Sequence, residues 1–357
     1  MFVKTVKLKS STITVNADEE ETSYIVGRTV TIDTSGKGIA MNGDAKYRAL
    51  DVAGTVHGGF TAVQIDSQPS PFGGVQVHVR ETARLTGNSH GMVVYGQGHL
   101  IDNAGDISSE GMGIYAAGID WHGGKGEGIN LLVNHGVVRG GEHAITASYE
   151  YDKVLNSGRI FGDVSLGEGD DIFVFKAGKV TGAVEGGLGD DIYVVRKAGL
   201  VIVEKFDEGI DSLHSSVSIA MPDNVERLHL TGKADIDATG SSGANRIYGN
   251  AGANRIDGGG GMDHIDGGRG NDILTGGASA DEFRFAQGTG KDIVTDFTSG
   301  LDEIQLGDLR GAKDFDDMLA NHISEKGGDV WIAYGHDVVI VKNTAAADLK
   351  VGDFDFG

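Results

Sequence analysis

Cysteine is absent from this chain of 357 residues. No disulfide and no thiolate–metal site can form, so outside the cell something else must hold the fold. Only three prolines occur among 59 glycines, which excludes a collagen-like chain. No stretch approaches the ~18 consecutive apolar residues of a membrane span. Positive charge is in the minority: 30 Lys and Arg face 52 Asp and Glu, a formal charge of −22. A surface of that sign repels nucleic acid and anionic membrane and suits divalent cations. The first fifteen residues lack the continuous apolar run of a cleavable signal peptide. They alternate instead (Val6, Leu8, Ile13, Val15), as a strand does.

The glycines are concentrated and phased. From Gly240 the chain repeats every nine residues. Gly240, Gly249, Gly258, Gly267 and Gly276 take the first positions. Asn245, Asn254, Asp263, Asp272 and Asp281 take the sixth, and Ile247, Ile256, Ile265, Leu274 and Phe283 the eighth. Glycine lets the backbone turn through positive φ and aim its carbonyls inward. The sixth-position carboxylate adds a hard anionic oxygen, and calcium takes six to eight such oxygens at ~2.3–2.6 Å. A flexible glycine-rich linker would not keep this phase or an apolar eighth position.

The array resembles the G-G-x-G-x-D-x-U-x repeat of RTX (repeat-in-toxin, hemolysin-type) calcium-binding proteins, which forms a parallel β-roll. The resemblance implies that two nonapeptides make one coil and that several calcium ions lie between stacked turns. Carried over by position, it implies Gly259, Gly261 and Asp263 with Gly276, Ala278 and Asp281. It implies likewise Asn250, Gly252 and Asn254 with Gly267, Arg269 and Asp272, and Ser241, Gly243 and Asn245 with Gly258, Gly260 and Asp263. Neutral Asn245 and Asn254 should weaken their sites, and Ser279, in place of a fourth-position glycine, should strain its turn. Two earlier turns fit the same pattern and imply Gly167, Gly169 and Asp171 with Gly186, Leu188 and Asp191, followed by Asp211 in a degenerate turn. Residues 281–310 resemble the end-cap that follows RTX arrays in serralysin-type proteases, which implies Asp292 as a further ligand. The last residues, ADLKVGDFDFG, resemble the uncleaved signal of type I secretion. That implies a transporter partner and an extracellular or cell-surface location. The zinc-binding H-E-x-x-H of the proteases is missing.

The N-terminal half repeats more loosely. Gly54, Ala83, Gly105, Gly136, Gly158, Gly178 and Gly199 each centre a short apolar segment that reads as a strand. The series resembles right-handed parallel β-helices, including adhesin and autotransporter passengers. Two enlarged coils insert residues 67–74 and 120–128. Phe72, Trp121, His122, Tyr149 and Tyr151 should then form an aromatic and acidic ridge suited to extracellular polysaccharide. Gly118–Gly123 faintly resembles the G-F-D-P-H-D/E motif of alginate epimerases, with Asp120 and His122 retained. A polysaccharide lyase or epimerase is therefore the alternative to a non-enzymatic binding protein, for which no catalytic residue is expected. The expected fold is all-β and continuous: a right-handed parallel β-helix over 1–165, calcium-bearing coils and a spacer over 166–239, an RTX β-roll over 240–300, and a cap with the export signal over 301–357.

Overall fold

A computed structural model describes residues 2–5, 13–15, 22–26, 31–42, 49–66, 75–96, 98–117, 130–147, 151–306 and 314–356. The fold is nearly all β, with long parallel sheets. The chain divides into two compact units, Met1–Val203 and Glu204–Gly357, within the stretch expected to carry the spacer. No helix among the described residues is long and apolar enough to cross a membrane.

The first unit is a three-faced parallel solenoid. A coil contributes a strand to each face, as in Gln76–Val79, Arg84–Gly87 and His90–Tyr95. The next coil lays Leu100–Asn103, Asp106–Ser109 and Met112–Ala117 directly on these. In two later coils one long strand, Val137–Thr146 or Arg159–Glu168, spans two faces. Alternation sends one side of each strand inward, so Val77, Leu85, Met92, Ile101, Ile107 and Ile114 are all buried. At the amino end the expected strand is two, Phe2–Thr5 and Ile13–Val15, lying in different sheets.

The central glycines do not sit in mid-strand as expected. They occupy a corner between the first and second faces. Gly105 follows Leu100–Asn103 and precedes Asp106–Ser109, and a Cβ on Gly105, Gly136 or Gly158 would press into the backbone of the coil before it. Corner carbonyls instead accept from the next coil: Gly105 from the Val137 N–H at 2.8 Å, Gly136 from the Arg159 N–H at 2.8 Å. Glycine is required there for close approach.

Beside that corner runs a buried asparagine ladder. Asn103 Nδ2 donates to Asn134 Oδ1 at 2.9 Å, and Asn134 Nδ2 to Asn156 Oδ1 at 2.8 Å. Asn134→Ala should leave the Asn156 Oδ1 acceptor unpaired and Asn103 Nδ2 with only its bond to Val137 O, and cost about 1–3 kcal/mol. Exposed Asn88→Ala should change stability by less than about 0.5 kcal/mol. Denaturant unfolding at fixed calcium separates the two; equal small effects would show that the ladder is not a stabilising element.

In the second unit one face stacks Arg246–Tyr248, His264–Asp266 and Glu282–Arg284, and another stacks Arg255–Asp257 and Ile273–Thr275. Partners are 18 residues apart, so each coil is two nonapeptides. Beyond the array, Lys291–Val294 pairs in parallel with Asp337–Val341, which heads an antiparallel hairpin with Asp329–Tyr334. The helix Phe315–Asn321 begins at Asp314, whose carboxylate accepts from the Asp317 N–H at 2.8 Å.

Candidate metal centres

The eighth-position residues Ile247, Ile256, Ile265, Leu274 and Phe283 are all 0 % exposed. Two residues earlier along each strand, the period of the pleat turns the sixth-position side chains inward as well. Asn245, Asn254, Asp263, Asp272 and Asp281 are accordingly buried.

They form rows. The backbone N–H of Asn245 donates to Asp263 Oδ1 at 2.8 Å, that of Asp263 to Asp281 Oδ1 at 3.0 Å, and that of Asp281 to Asp302 Oδ1 at 3.0 Å. A second row runs from Asn254 to Asp272 at 2.8 Å and on to Asp292 at 2.9 Å. The first unit carries a third: the N–H of Asp152 reaches Asp171 Oδ1 at 2.6 Å, and that of Asp171 reaches Asp191 Oδ1 at 2.7 Å. In every row one carboxylate oxygen is satisfied by the neighbouring coil.

In four of these aspartates the other oxygen is not: Oδ2 of Asp171, Asp263, Asp272 and Asp292 is buried without a hydrogen-bond partner. Burial pushes the Asp171 carboxyl up to about 9, those of Asp263 and Asp292 up to about 7, and those of Asp272 and Asp281 up to about 6. The backbone hydrogen bond opposes each rise, and neighbouring acids add to it.

The surroundings fit a hard cation. A side chain at Gly258 or Gly267 would run into Oδ2 of Asp263 or Asp272, so the first-position glycine gives that oxygen its room. Gly259, Gly261, Gly268 and Gly270 hold positive φ and shape the turns that bring carbonyls alongside. Buried carboxylate oxygens beside turn carbonyls are a calcium donor set, and a bound ion would offset the charge that burial penalises.

The turns in the proposed ligand sets are stacked. Ala278 donates its N–H to Gly259 O at 3.1 Å, Arg269 to Asn250 O at 2.9 Å, and Gly260 to Ser241 O at 3.1 Å. Gly169 donates to Leu188 O at 2.6 Å, and Gly167 opposes Gly187, next to Gly186. Gly252 lies beside Gly270 of the following coil, and Gly243 beside Gly261. Gly276 carries the same close approach to its own Asp281 carboxylate. Asp211 is buried, with its N–H on Glu226 Oε2 at 2.8 Å.

Asn245 and Asn254 bridge coils with their own amides. Asn254 Oδ1 accepts from the Asn250 N–H at 2.9 Å while its Nδ2 donates to Ile236 O at 2.7 Å. Asn245 accepts from Ser241 at 2.7 Å and donates to Val225 O at 3.1 Å. These turns are held by hydrogen bonds where an acid would need an ion. Asp302, which the repeat phase does not reach, closes its row. Its Oδ2 accepts from the Thr298 N–H at 2.7 Å, so the row ends satisfied. The signal for it was an acid two residues before a buried apolar residue, Ile304. Ser279 stands at φ +93°, a conformation that suits glycine. Of the aromatic ridge, only half-buried Tyr151 is described; Phe72, Trp121, His122 and Tyr149, with Asp120, lie outside the described residues.

Residues 239–274 and 257–291 match the family model of the RTX calcium-binding nonapeptide repeat. The chain carries an RTX calcium-binding array. Among solved structures, this chain is similar to the AlgE6R3 subunit of the Azotobacter vinelandii mannuronan C5-epimerase, at 29 % identity over 36 % of this chain and 81 % of that one, TM-score 0.30. It is also similar to the extracellular lipase LipA of Serratia marcescens, at 16 % identity over 65 % of this chain and 40 % of the lipase, TM-score 0.31. It thus spans less than half of the lipase. A search of curated proteins gave no match.

Within the RTX array, Asp263→Ala should cost about 2–5 kcal/mol in calcium, from a lost ion and an unpaired Asn245 N–H, and more than Asp281→Ala. Ser279→Gly should add about 1 kcal/mol by relieving its backbone. Thermal melts at millimolar calcium would contradict the stacking if both alanine variants matched the parent.

The raised carboxyl pKa values set a pH dependence. The ion-free fold holds extra protons between the unfolded value of ~3.9 and the raised values, so its stability falls as pH rises through that window. Calcium binding to the ion-free fold must displace those protons, but the unfolded chain has already lost them above pH ~5. The calcium concentration at half-folding should therefore stay flat or rise as pH goes from ~5 to ~7. A midpoint that drops steeply over that range would contradict the raised carboxyl pKa values.

Proposed function

We propose that this protein is a secreted, calcium-switched β-solenoid that serves as an extracellular or cell-surface binding protein. The observation that supports it most is the set of buried aspartate oxygens with no partner. A fold that buries such charge is disfavoured until a cation arrives. Each ion bound only by the folded state adds about 1.4–2.7 kcal/mol at ~10–100 times Kd, so a handful of sites rivals the whole stability of a domain. Extracellular calcium modules bind at ~10⁻⁴–10⁻³ M, far above cytosolic levels. The chain then stays export-competent inside and folds outside. The absence of cysteine accords with this, since ions take the place of disulfides.

The C-terminal segment supports a type I route by its resemblance alone. Its Phe354–Asp355 strand pairs with Ile304 and Gln305, and Phe354 is buried, so the segment is integrated into the folded cap. A transporter that reads this segment would have to do so before the cap folds. The solenoid surface, rather than a catalytic centre, is the working part in this reading.

Circular dichroism during a calcium titration of chelated protein tests the switch. The β signal should grow cooperatively over submillimolar to millimolar calcium. A β signal unchanged by chelator, with no calcium retained on dialysis, would refute it.

A further inference from the structure

One face of the second unit is built from Ser212–Ser215, Arg227–Leu230, Arg246–Tyr248 and His264–Asp266. Leu213, Leu228, Ile247 and Ile265 point inward and are buried. The residues on either side of each therefore point outward, in two columns. One contains Arg227, Arg246 and His264; the other contains His214, His229 and Tyr248.

Arg227 lies directly opposite Arg246 on the next strand, ~4.8 Å away. Like charges so placed repel. Despite 52 acidic residues in the chain, neither guanidinium has a hydrogen-bond or ion-pair partner among the described residues. The neighbouring column is a ring ladder: His214 on His229 at 4.9 Å and 17°, and His229 on Tyr248 at 4.6 Å and 8°. Rings stacked along the axis turn their edges outward, and with them the imidazole nitrogens and the phenol hydroxyl. Burial keeps both imidazoles below their usual pKa, hence neutral and able to donate and accept. Arg227, Arg246 and His264 also line a groove of about 450 Å³, with Met262 and Leu301 exposed along it. Acids line it too: Glu226 next to Arg227, the array's Asp263 and Asp281, and at the other end Glu303 and Glu282, the latter paired with His264.

We propose that this face binds a carboxylated polysaccharide lying along the solenoid axis, with uronate groups on Arg227 and Arg246 and sugar hydroxyls on the ring edges. The proposal rests on the extracellular reading above and gives it a ligand class. The guanidinium fork matches a carboxylate in bidentate geometry. One cation per coil suits a polymer with one carboxylate per sugar. Duplex nucleic acid carries a charge every ~1.7 Å and needs denser cations than this acidic protein offers. A neutral glycan would leave the two arginines uncompensated. The acidic end of the groove limits contact to a short stretch of chain.

The test is calorimetric binding of short oligogalacturonates, too short to gel, to the full chain in calcium, with circular dichroism on the same samples. The expected result is saturable binding that weakens with salt, is absent for neutral dextran oligomers, and falls about tenfold or more in Arg227→Gln/Arg246→Gln. Calcium-dependent folding should be unchanged in that variant. No binding by the folded parent, equal binding by the variant, or tighter binding of a DNA oligonucleotide would overturn the proposal and leave the calcium switch standing. Failure of the parent to fold with calcium would instead remove the reading on which it rests.

Discussion

A buried aspartate offers two oxygens, and in this protein the backbone satisfies one of them. The N–H of the preceding coil fixes Oδ1, and that bond sets the spacing of one coil on the next. Oδ2 is left inside without a protein partner in Asp171, Asp263, Asp272 and Asp292. Most other features of the array follow from this. First-position glycine makes room for that oxygen, positive φ at the second and fourth positions brings carbonyls toward it, and the apolar eighth residue anchors the strand behind it. Such an arrangement is costly without a cation and stabilised by one, which is what the proposed switch requires.

The first unit solves the same stacking problem mostly without charge. Its coils are tied at the corner by glycine carbonyls and by an asparagine ladder, Asn103 to Asn134 to Asn156. An amide carries both donor and acceptor, so identical residues can chain from coil to coil. Inside the calcium array Asn245 and Asn254 also tie coils with their amides, but by donating to backbone carbonyls of the coil before.

How much of this could be read from the residues depends on how tightly the backbone dictates them. The nine-residue phase was legible because each position needs one residue type: glycine at positive φ, an acid over its own turn, an apolar residue inside. The stacking of Asp171 with Asp191 was legible from their 20-residue spacing. Asp302 was missed because it follows Asp281 by 21 residues and lacks the glycine-rich approach. The corner position of Gly105 and Gly136 was read as mid-strand, because glycine between two short apolar segments marks either. The Asn ladder and the Arg227–Arg246 pair were invisible, since both need the register of coils whose lengths vary: 31 and 22 residues along the ladder, 19 between the arginines.

The claim on which everything else depends is that metal ions sit at the orphaned oxygens. Crystals grown in calcium, with anomalous scattering used to place the ions, address it directly. Calcium peaks should lie ~2.3–2.6 Å from Oδ2 of Asp263, Asp272 and Asp171, each shared with the next acid of its row and with glycine-turn carbonyls. Water at those oxygens, or a protein donor that has moved in to satisfy them, would contradict the account.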